Sequence, residues 1–241
     1  MQITKVQEDR KQFLKHRQGL KRVAQRLFPE RTEAELQKEI WTGSLKPFDA
    51  HYLANVLRRY KPASILEVGS YLGMSTSWLL HVSEPWKASV TCVDPNIPHW
   101  SFQDPLAVRR EYLQQSYSHR KVENIVGFFS KVGEGMNDDV SREQIASIPS
   151  VGPQLTERFD MVFLDGDHTY DVVKEDFAVA LKLLNPGGTV VFHDAISWAG
   201  VARLLSELKP KYKISIMGRA IDVVGKRLVN KGMDGIAVLQ T

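Results

Sequence analysis

Five acidic and imidazole side chains follow two short apolar runs and could do chemistry together. They are Asp165, Asp167, His168, His193 and Asp194. The first three come directly after the run 159–164, and the other two come after the run 189–192. Carboxylates and imidazoles can hold a divalent cation or transfer a proton. Burying so many charged groups destabilises a fold unless they are hydrated, paired or metal-bound. Capping of the next helix by Asp167 and Thr169 does not account for all five.

A second motif places two glycines after another apolar run. Gly69 and Gly73 bracket a tight turn between the run 64–68 and a predicted helix. Glycine lets the backbone adopt a positive φ and approach a ligand closely, and the N–H groups at the start of a helix can face an anion. The turn alone is a weak signal, because Tyr71 stands where the dinucleotide pattern G-x-G-x-x-G has its second glycine.

Asp94 follows the next apolar run along the chain. It lies about 20 residues after the glycine turn, the spacing of an acid that accepts hydrogen bonds from a ribose. A turn cap before Pro95 is the alternative role. Taken with the glycine turn, the spacing favours the ribose role.

These side chains need a scaffold that brings several strand ends to one place. From residue 64 onward, short apolar runs alternate with helical segments, which is typical of a parallel sheet wrapped by helices. The seven predicted strands are Ser64–Val68, Ser89–Val93, Val122–Gly127, Phe159–Leu164, Thr189–Phe192, Tyr212–Met217 and Gly235–Leu239. The first five carry hydrophobic residues on both faces, so we expect both faces to be covered. The last two are joined without room for a crossover helix and are predicted to form an antiparallel hairpin at one edge.

The predicted helices fill the remaining chain. Between and after the strands they are Ser75–Val82, Pro105–Ser116, Ser141–Ile148, Tyr170–Leu184 and Trp198–Lys209. Before the first strand, three more are predicted at 1–28, Glu33–Trp41 and Asp49–Tyr60, the second of them capped by Thr32.

Composition places the chain among globular proteins. It has 241 residues, of which 43% are hydrophobic and 25% are charged, which excludes a disordered chain. Cys92 is the single cysteine, so the chain can form no internal disulfide and no zinc–thiolate cluster. The N-terminus is charged where a signal peptide is apolar, and no apolar run is long enough to span a membrane. We therefore expect a cytoplasmic protein without a membrane partner.

Charge is distributed unevenly along the chain. Residues 1–31 carry nine Lys or Arg residues against three acidic ones, a net +6, whereas the whole chain has a net charge of +4. The remainder is therefore net negative. The basic segment is read either as a solvated helix face or as a surface for nucleic acid or acidic lipid. We expect residues 1–44 to form a helical extension, acting as a lid or an oligomer arm, and residues 45–241 to form one domain.

The order of the motifs carries a family resemblance. The segments ILEVGSYLGMST, CVDP, FDMVFLDGDHTYDVVKEDF and LLNPGGTVVFHD resemble those of class I S-adenosylmethionine (SAM)-dependent methyltransferases. More narrowly, they resemble the small-molecule branch that includes divalent-metal-dependent O-methyltransferases. The resemblance covers about residues 45–241. It implies an α/β fold with a Rossmann-like, doubly wound, seven-stranded sheet, mostly parallel with an antiparallel C-terminal hairpin strand.

The resemblance also implies a role for each matching residue. The SAM site comprises Glu67, Gly69, Ser70, Tyr71, Gly73 and Ser75 around the methionine portion, Asp94 on the ribose, Phe129 and Ser130 beside the adenine, and Asp165. Asp165, His193 and Asp194 match the ligands of a divalent metal, magnesium or manganese. His168 matches the position of a general base.

The sequence departs from the family pattern at the metal ligands. His193 and Asp194 stand where metal-dependent relatives commonly have Asp-Asn or Glu-Asp. Magnesium prefers oxygen ligands, and a histidine ligand favours manganese, iron or zinc. Alternatively, His193 is not a ligand and the two carboxylates hold the ion.

The resemblance implies transfer of a methyl group from SAM to a hydroxyl of a small molecule of sugar or natural-product type. Three alternatives compete with it: an RNA or tRNA methyltransferase that uses the basic N- and C-terminal segments, a nicotinamide-dependent oxidoreductase, and a non-catalytic binding protein. The residues 165–168 do not form the N-P-P-[YF] tetrad of base methylation, and the incomplete glycine pattern argues against a nicotinamide site. We expect a small-molecule acceptor, a homodimer, and no nucleic-acid partner.

The aromatic residues expected around the site are His99, Trp100, Phe102 and Trp198. They are predicted either to form an apolar lid over a ring-bearing substrate or to cover the sheet edge or a dimer contact.

Overall fold

The computed structural model describes residues 2–99, 102–130, 141–218, 222–223, 226–227 and 233–241. Its strands are β1 (Ser64–Val68), β2 (Ser89–Asp94), β3 (Val122–Val126), β4 (Phe159–Leu164), β5 (Leu184–Phe192), β6 (Lys213–Met217), β7 (Asp222–Val223), β8 (Lys226–Arg227) and β9 (Ile236–Gln240). Seven of them form one sheet in the order β3-β2-β1-β4-β5-β9-β6, and β7 pairs with β8 in a separate ladder. The first five strands are parallel, and β9 runs antiparallel to both β5 and β6. This confirms the predicted Rossmann-like sheet with its antiparallel C-terminal strands.

The helices are α1 (Gln2–Leu27), α2 (Glu33–Thr42), α3 (Pro47–Tyr60), α4 (Met74–Val82), α5 (Pro105–Tyr117), α6 (Arg142–Ser147), α7 (Tyr170–Leu183) and α8 (Ala199–Leu208). The expected cap of α2 is present, because Thr32 and Glu35 form a reciprocal capping box. Helix α3 begins two residues earlier than predicted, with Pro47 in its first turn. Proline is favoured in the first turn because a backbone N–H there would have no partner within the helix, and proline has no N–H.

Alternate residues of each central strand enter two different hydrophobic cores. Ile65 of β1 packs in a core with α1, α3, α4 and α5, whereas its neighbour Leu66 packs in a core with α7 and α8. The helices therefore cover both faces of the sheet, as predicted. The prediction was wrong for β3, where Val126 is 43% exposed. The reason is position, because β3 lies at the sheet edge with a single neighbouring strand.

Helices α1 and α2, predicted as an extension, share the core of the sheet domain. Phe13 of α1 is fully buried and packs edge-to-face on Trp78 of α4, with ring centroids 5.4 Å apart. On the same helix, the buried Asp9 accepts two hydrogen bonds from Arg58 of α3, at 2.7 and 2.8 Å. Helix α1 is thus fixed against the domain by apolar and ionic contacts, and Leu36 and Ile40 of α2 are buried in the same core.

The sheet order places four strand ends at one edge. Strand β1 pairs with β2 on one side and with β4 on the other, so the direction of winding changes between β1 and β4. Ligands of open α/β sheets bind beyond the carboxyl ends of the strands at such a switch. None of the described helices combines the length and the apolarity that crossing a membrane requires.

Candidate active site

The turn after β1 is held in a left-handed backbone conformation. Gly69 has φ +81°, Tyr71 has φ +43° and Gly73 has φ +85°. A Cβ atom at Gly69 would lie 2.2 Å from the carbonyl oxygen of Asp165. Glycine is therefore required where the end of β1 passes the end of β4. Tyr71 takes the place of the expected central glycine at a modest conformational cost, about 1 to 2 kcal/mol for a left-handed L-residue.

Asp94, the last residue of β2, holds this turn. Its Oδ2 accepts hydrogen bonds from the backbone N–H groups of Ser70, at 2.8 Å, and Tyr71, at 2.7 Å. Its Oδ1 accepts the N–H of Asn96 at 2.8 Å. Both lone pairs of Oδ2 are thus engaged, whereas Oδ1 retains one. Asp94 therefore organises the turn and still has the capacity to accept a hydrogen bond from a ligand.

Glu67 lies beneath the turn and is fully buried. Its Oε2 accepts hydrogen bonds from Thr76 Oγ1, at 2.5 Å, and from Cys92 Sγ, at 3.3 Å. Burial raises the pKa of the Glu67 carboxyl, against the effect of its hydrogen bonds. These contacts join β1 to α4 and β2 under the cavity floor.

Beside the turn lies a cavity of about 650 Å³. It contains most of the residues that the sequence predicts for the site. Those that line it are Gly69, Ser70, Tyr71, Ser75, Asp94, Asp165, His168, His193 and Asp194. Its outer wall adds Thr42–Lys46 from the α2–α3 loop, His99, Trp198 and Asp234.

At the inner end of the cavity, two carboxylates and two imidazoles converge. The group is Asp165, His168, His193 and Asp194, and one donor atom from each lies within 4.8 Å of the others. His193 Nδ1 is 2.7 Å from Asp165 Oδ1 and 3.1 Å from Asp194 Oδ2. His168 Nε2 is 2.7 Å from Asp194 Oδ2 and 3.8 Å from Asp165 Oδ1. We call these four residues the His–Asp cluster.

Charge inside the His–Asp cluster shifts the pKa of its members. Burial alone would lower the pKa of His168, but Asp165 and Asp194 outweigh it and raise that pKa to about 9. In the same way, burial alone would lower the pKa of His193, but the same two carboxylates outweigh it and raise that pKa well above its ordinary value. Burial would raise the pKa of Asp194, yet the facing imidazoles hold it below its usual range. The cluster is therefore a strongly coupled set of opposite charges.

The contact between His168 Nε2 and Asp194 is short but lacks hydrogen-bond geometry. Within the described part of the chain, neither His168 Nε2 nor His193 Nε2 makes a hydrogen bond. A buried nitrogen atom without a hydrogen-bond partner destabilises the folded protein. Their orientation is consistent with a site built for a ligand, and the ring of His168 is held by stacking on Trp198, with centroids 5.1 Å apart.

Four of the predicted cofactor residues do not line the cavity: Glu67, Gly73, Phe129 and Ser130. Phe129 is 4% exposed and packs in the core beside Gly152. Ser130 donates a hydrogen bond to Asp176. Burial raises the pKa of Asp176 to about 7, against the hydrogen bond from Ser130. A role beside adenine stays a prediction for Phe129 and Ser130.

Only some of the residues predicted to surround the site or to cap the next helix take those roles in the structure. Trp198, 51% exposed, and His99 line the cavity, whereas Phe102 is fully buried against Tyr71. Trp100 lies outside the described residues, as do most of residues 218–231 in the basic C-terminal segment. Thr169 makes no capping hydrogen bond with its side chain, so its predicted capping role was wrong.

Asp167, the other predicted cap, does hydrogen-bond to the backbone just before α7. Its Oδ1 accepts the N–H of Thr169 at 2.6 Å.

Sequence reasoning missed two buried charged residues, Arg109 and Asp49. Arg109 of α5 donates from Nη1 to the carbonyl oxygen of Tyr71 and from Nε to Asn124 Oδ1, at 3.1 and 3.0 Å. Asp49 of α3 faces the ring of His193. Each lies on a helix, where a single charged residue belongs to no motif that would mark it.

Solved structures share this fold. The O-methyltransferase TomG from Streptomyces achromogenes, involved in tomaymycin synthesis and solved with SAM, is 22% identical with a TM-score of 0.58, covering 92% of this chain and 89% of its own. An O-methyltransferase from Bacillus cereus, solved with SAH, is 16% identical with a TM-score of 0.57, covering 93% of this chain and 90% of its own. At these identities the likeness shows the fold.

The family follows from the sequence match. No curated protein matches the chain. A family model described as "Methyltransferase domain" matches residues 66–195, more than half of the chain. The matched segment includes the glycine turn, Asp94 and the whole His–Asp cluster. The chain therefore belongs to the methyltransferase-domain family, as its motifs predicted.

Proposed function

We propose that this protein transfers a methyl group from SAM to a hydroxyl group of a small molecule, assisted by a divalent cation and by His168 as the base. One observation carries the proposal. The Asp94-bound glycine turn and the His–Asp cluster line the same cavity of about 650 Å³. A cofactor site and an acid–base site must share a cavity if a bound methyl group is to meet an acceptor oxygen.

The glycine turn and Asp94 fit the cofactor. The turn approaches β4 so closely that a side chain at position 69 would collide with backbone, and Asp94 keeps spare acceptor capacity at the cavity wall. When bound, SAM supplies the reactive methyl group itself, so the protein's part is to orient the acceptor and to exclude water. Structural neighbours solved with SAM or SAH support this choice of cofactor.

The His–Asp cluster fits a divalent cation. Asp165, His193 and Asp194 would hold it, with donor atoms 2.7 to 3.1 Å apart around His193 Nδ1. Metal–ligand bonds of about 2.0–2.2 Å place neighbouring donors about 3 Å apart, which agrees with these distances. The mixed nitrogen and oxygen donors favour manganese or another transition metal over magnesium. When bound, the cation would lower the pKa of an acceptor hydroxyl and offset the charge of the carboxylates.

His168 is the base in this proposal. Its ring lines the cavity, stacks on Trp198 and points Nε2 toward the two carboxylates. A base must be neutral and lie within hydrogen-bond reach of the acceptor proton. Against the effect of burial, Asp165 and Asp194 raise the pKa of His168 to about 9, and a cation that offsets their charge would lower that pKa toward the neutral form of the ring. The partly exposed Trp198 and His99 at the rim suit an acceptor that carries a ring.

Calorimetry tests the function directly. SAM and its demethylated product SAH are titrated into the full chain, first with EDTA and then with magnesium or manganese. We expect micromolar binding of both and a further cation-dependent heat that disappears in Asp165→Ala. Absence of SAM binding under every condition would overturn the methyltransferase assignment for this chain. SAM binding without any cation-dependent heat would remove the cation alone.

A further inference from the structure

Asp49 reaches the His–Asp cluster from outside the segment that the family model matches. It is the third residue of α3 and is fully buried. Its Oδ2 lies 3.5 Å from Nε2 of His193. The family motifs assign no role to this residue, yet a buried carboxylate is retained only where it has partners.

The imidazole of His193 has carboxylates on both of its sides. Nδ1 faces Asp165 and Asp194, at 2.7 and 3.1 Å, whereas Nε2 faces Asp49. Nε2 is buried, and among the described residues Asp49 supplies the one carboxylate in ion-pair range of it. Nδ1 hydrogen-bonds to Asp165, whereas the 3.5 Å contact of Nε2 with Asp49 is an ion-pair contact without hydrogen-bond geometry. The two nitrogens of the ring therefore face different carboxylates.

The carboxylate of Asp49 is itself fixed by backbone. Its Oδ2 accepts the N–H of Asp234 at 2.7 Å, and its Oδ1 accepts the N–H of Gly235 at 2.9 Å. These two residues precede β9, which pairs with β5, the strand that ends beside His193. Asp49 thus cannot rotate away from the ring without releasing two backbone N–H groups.

We propose that Asp49 is a positioning residue that favours a proton on Nε2 of His193, so that Nδ1, which hydrogen-bonds to Asp165 in this structure, is free to bind a divalent cation at Asp165 and Asp194. The proposal rests on the cation in the proposed function and names the residue that orients its histidine ligand. Metal-binding histidines commonly donate their second N–H to a carboxylate, which fixes both the tautomer and the ring orientation. Here that carboxylate comes from the N-terminal part of the chain.

A variant tests this without an activity assay. Asp49→Asn removes the charge that faces Nε2 and keeps a side chain of the same size. We expect the affinity for Mn²⁺, measured by calorimetry on the full chain, to fall 10- to 100-fold, the usual effect of removing such a partner. SAM affinity should stay within about twofold, because Asp49 touches none of the residues of the glycine turn.

Asp160→Asn is the matched control. Asp160 also accepts two backbone N–H groups, from Ala63 at 2.8 Å and Ser64 at 3.1 Å, at the opposite edge of the sheet. We expect it to leave Mn²⁺ affinity unchanged. An unchanged Mn²⁺ affinity in Asp49→Asn, or an equal loss in both variants, would show that Asp49 only anchors backbone.

The wild-type chain provides a test that does not depend on a variant's folding. Nitrogen NMR of the Zn²⁺-loaded protein reports which ring nitrogen of His193 carries the proton, the signal being assigned by its loss in His193→Gln. The proposal requires the proton on Nε2, and a proton on Nδ1 overturns it. If the wild type binds neither cation, this proposal fails with the cation, whereas SAM titration of the same sample decides the methyltransferase function separately.

Discussion

Arg109 donates a hydrogen bond from Nη1 to the carbonyl oxygen of Tyr71 at 3.1 Å, although the two residues are 38 positions apart. Arg109 is fully buried, and the same nitrogen lies 3.7 Å from Asp94 Oδ2. The guanidinium thus supports the glycine turn from beneath and offsets the charge of the acid that holds the turn from the side. The shape of the predicted cofactor site therefore depends on α5 as well as on the motif.

Arg109→Met should weaken both the fold and the cofactor site. It leaves Asp94 without its buried cation and Tyr71 without its donor, a loss of about 3 kcal/mol of unfolding free energy, together with lower SAM affinity. Urea unfolding and SAM calorimetry measure the two effects. Arg120→Met is the control, because the buried Arg120 binds the carbonyls of Leu80 and Ala88 away from the site. Equal SAM affinity in the two variants would show that Arg109 acts on stability alone.

Asp94→Ala should weaken SAM binding by about 1.5 to 3 kcal/mol, the value of one hydrogen bond to a charged acceptor. The variant also frees the N–H groups of Ser70 and Tyr71, so the turn loses its anchor. Asp94→Asn keeps a single acceptor oxygen, so its SAM affinity should lie between those of the wild type and Asp94→Ala. Calorimetry on folded samples decides the matter, and wild-type affinity in Asp94→Ala would exclude this residue from the cofactor site.

The strands and the site motifs could be predicted because their signals are local. A strand that is buried on both faces is a continuous apolar run, and the bounds of β1 and β4 agree with those predicted. The glycine turn, Asp94 and the His–Asp cluster follow such runs directly. The parallel order of β1, β2, β4 and β5 then brings them to one edge of the sheet.

The other site residues depend on contacts that no local pattern contains. Asp49 binds the backbone of Asp234, 185 positions away, and only the packing of α3 against the loop before β9 joins them. The exposed face of β3 depends on its place at the sheet edge, which the apolar run does not encode. A role for α1 and α2 as a lid or oligomer arm, and the homodimer, stay predictions.

His168→Ala should lower turnover much more than SAM affinity. A positioned general base contributes roughly 10²- to 10⁴-fold to the rate, whereas His168 stacks on Trp198 and, among the described residues, makes no hydrogen bond with the glycine turn. Steady-state rates with a hydroxyl acceptor and SAM calorimetry give the two values. Trp198→Leu is the partner variant, since it keeps the imidazole and removes the ring that holds it, and should have a smaller effect on turnover. Unchanged turnover in His168→Ala would remove the residue from the mechanism.

His16 should make the fold sensitive to acid. It lies on α1 and faces His81 of α4, at a ring distance of 4.7 Å, and the hydroxyls of Tyr112 and Tyr117 of α5. Burial, and to a lesser extent the charge of His81, lowers the pKa of His16 from 6.5 to about 4. Between these two values the unfolded chain binds more protons than the folded one, so the free energy of unfolding falls as the pH falls.

Between pH 7.5 and pH 5 we expect His16 to account for a loss of about 2 kcal/mol, from the linkage between pKa and stability. Urea unfolding at both pH values measures the loss, and His16→Gln should reduce it by that amount because glutamine does not titrate. The exposed His119 supplies the control, since His119→Gln removes a histidine that burial does not constrain. If both variants lose as much stability as the wild type, the acid sensitivity arises elsewhere in the chain.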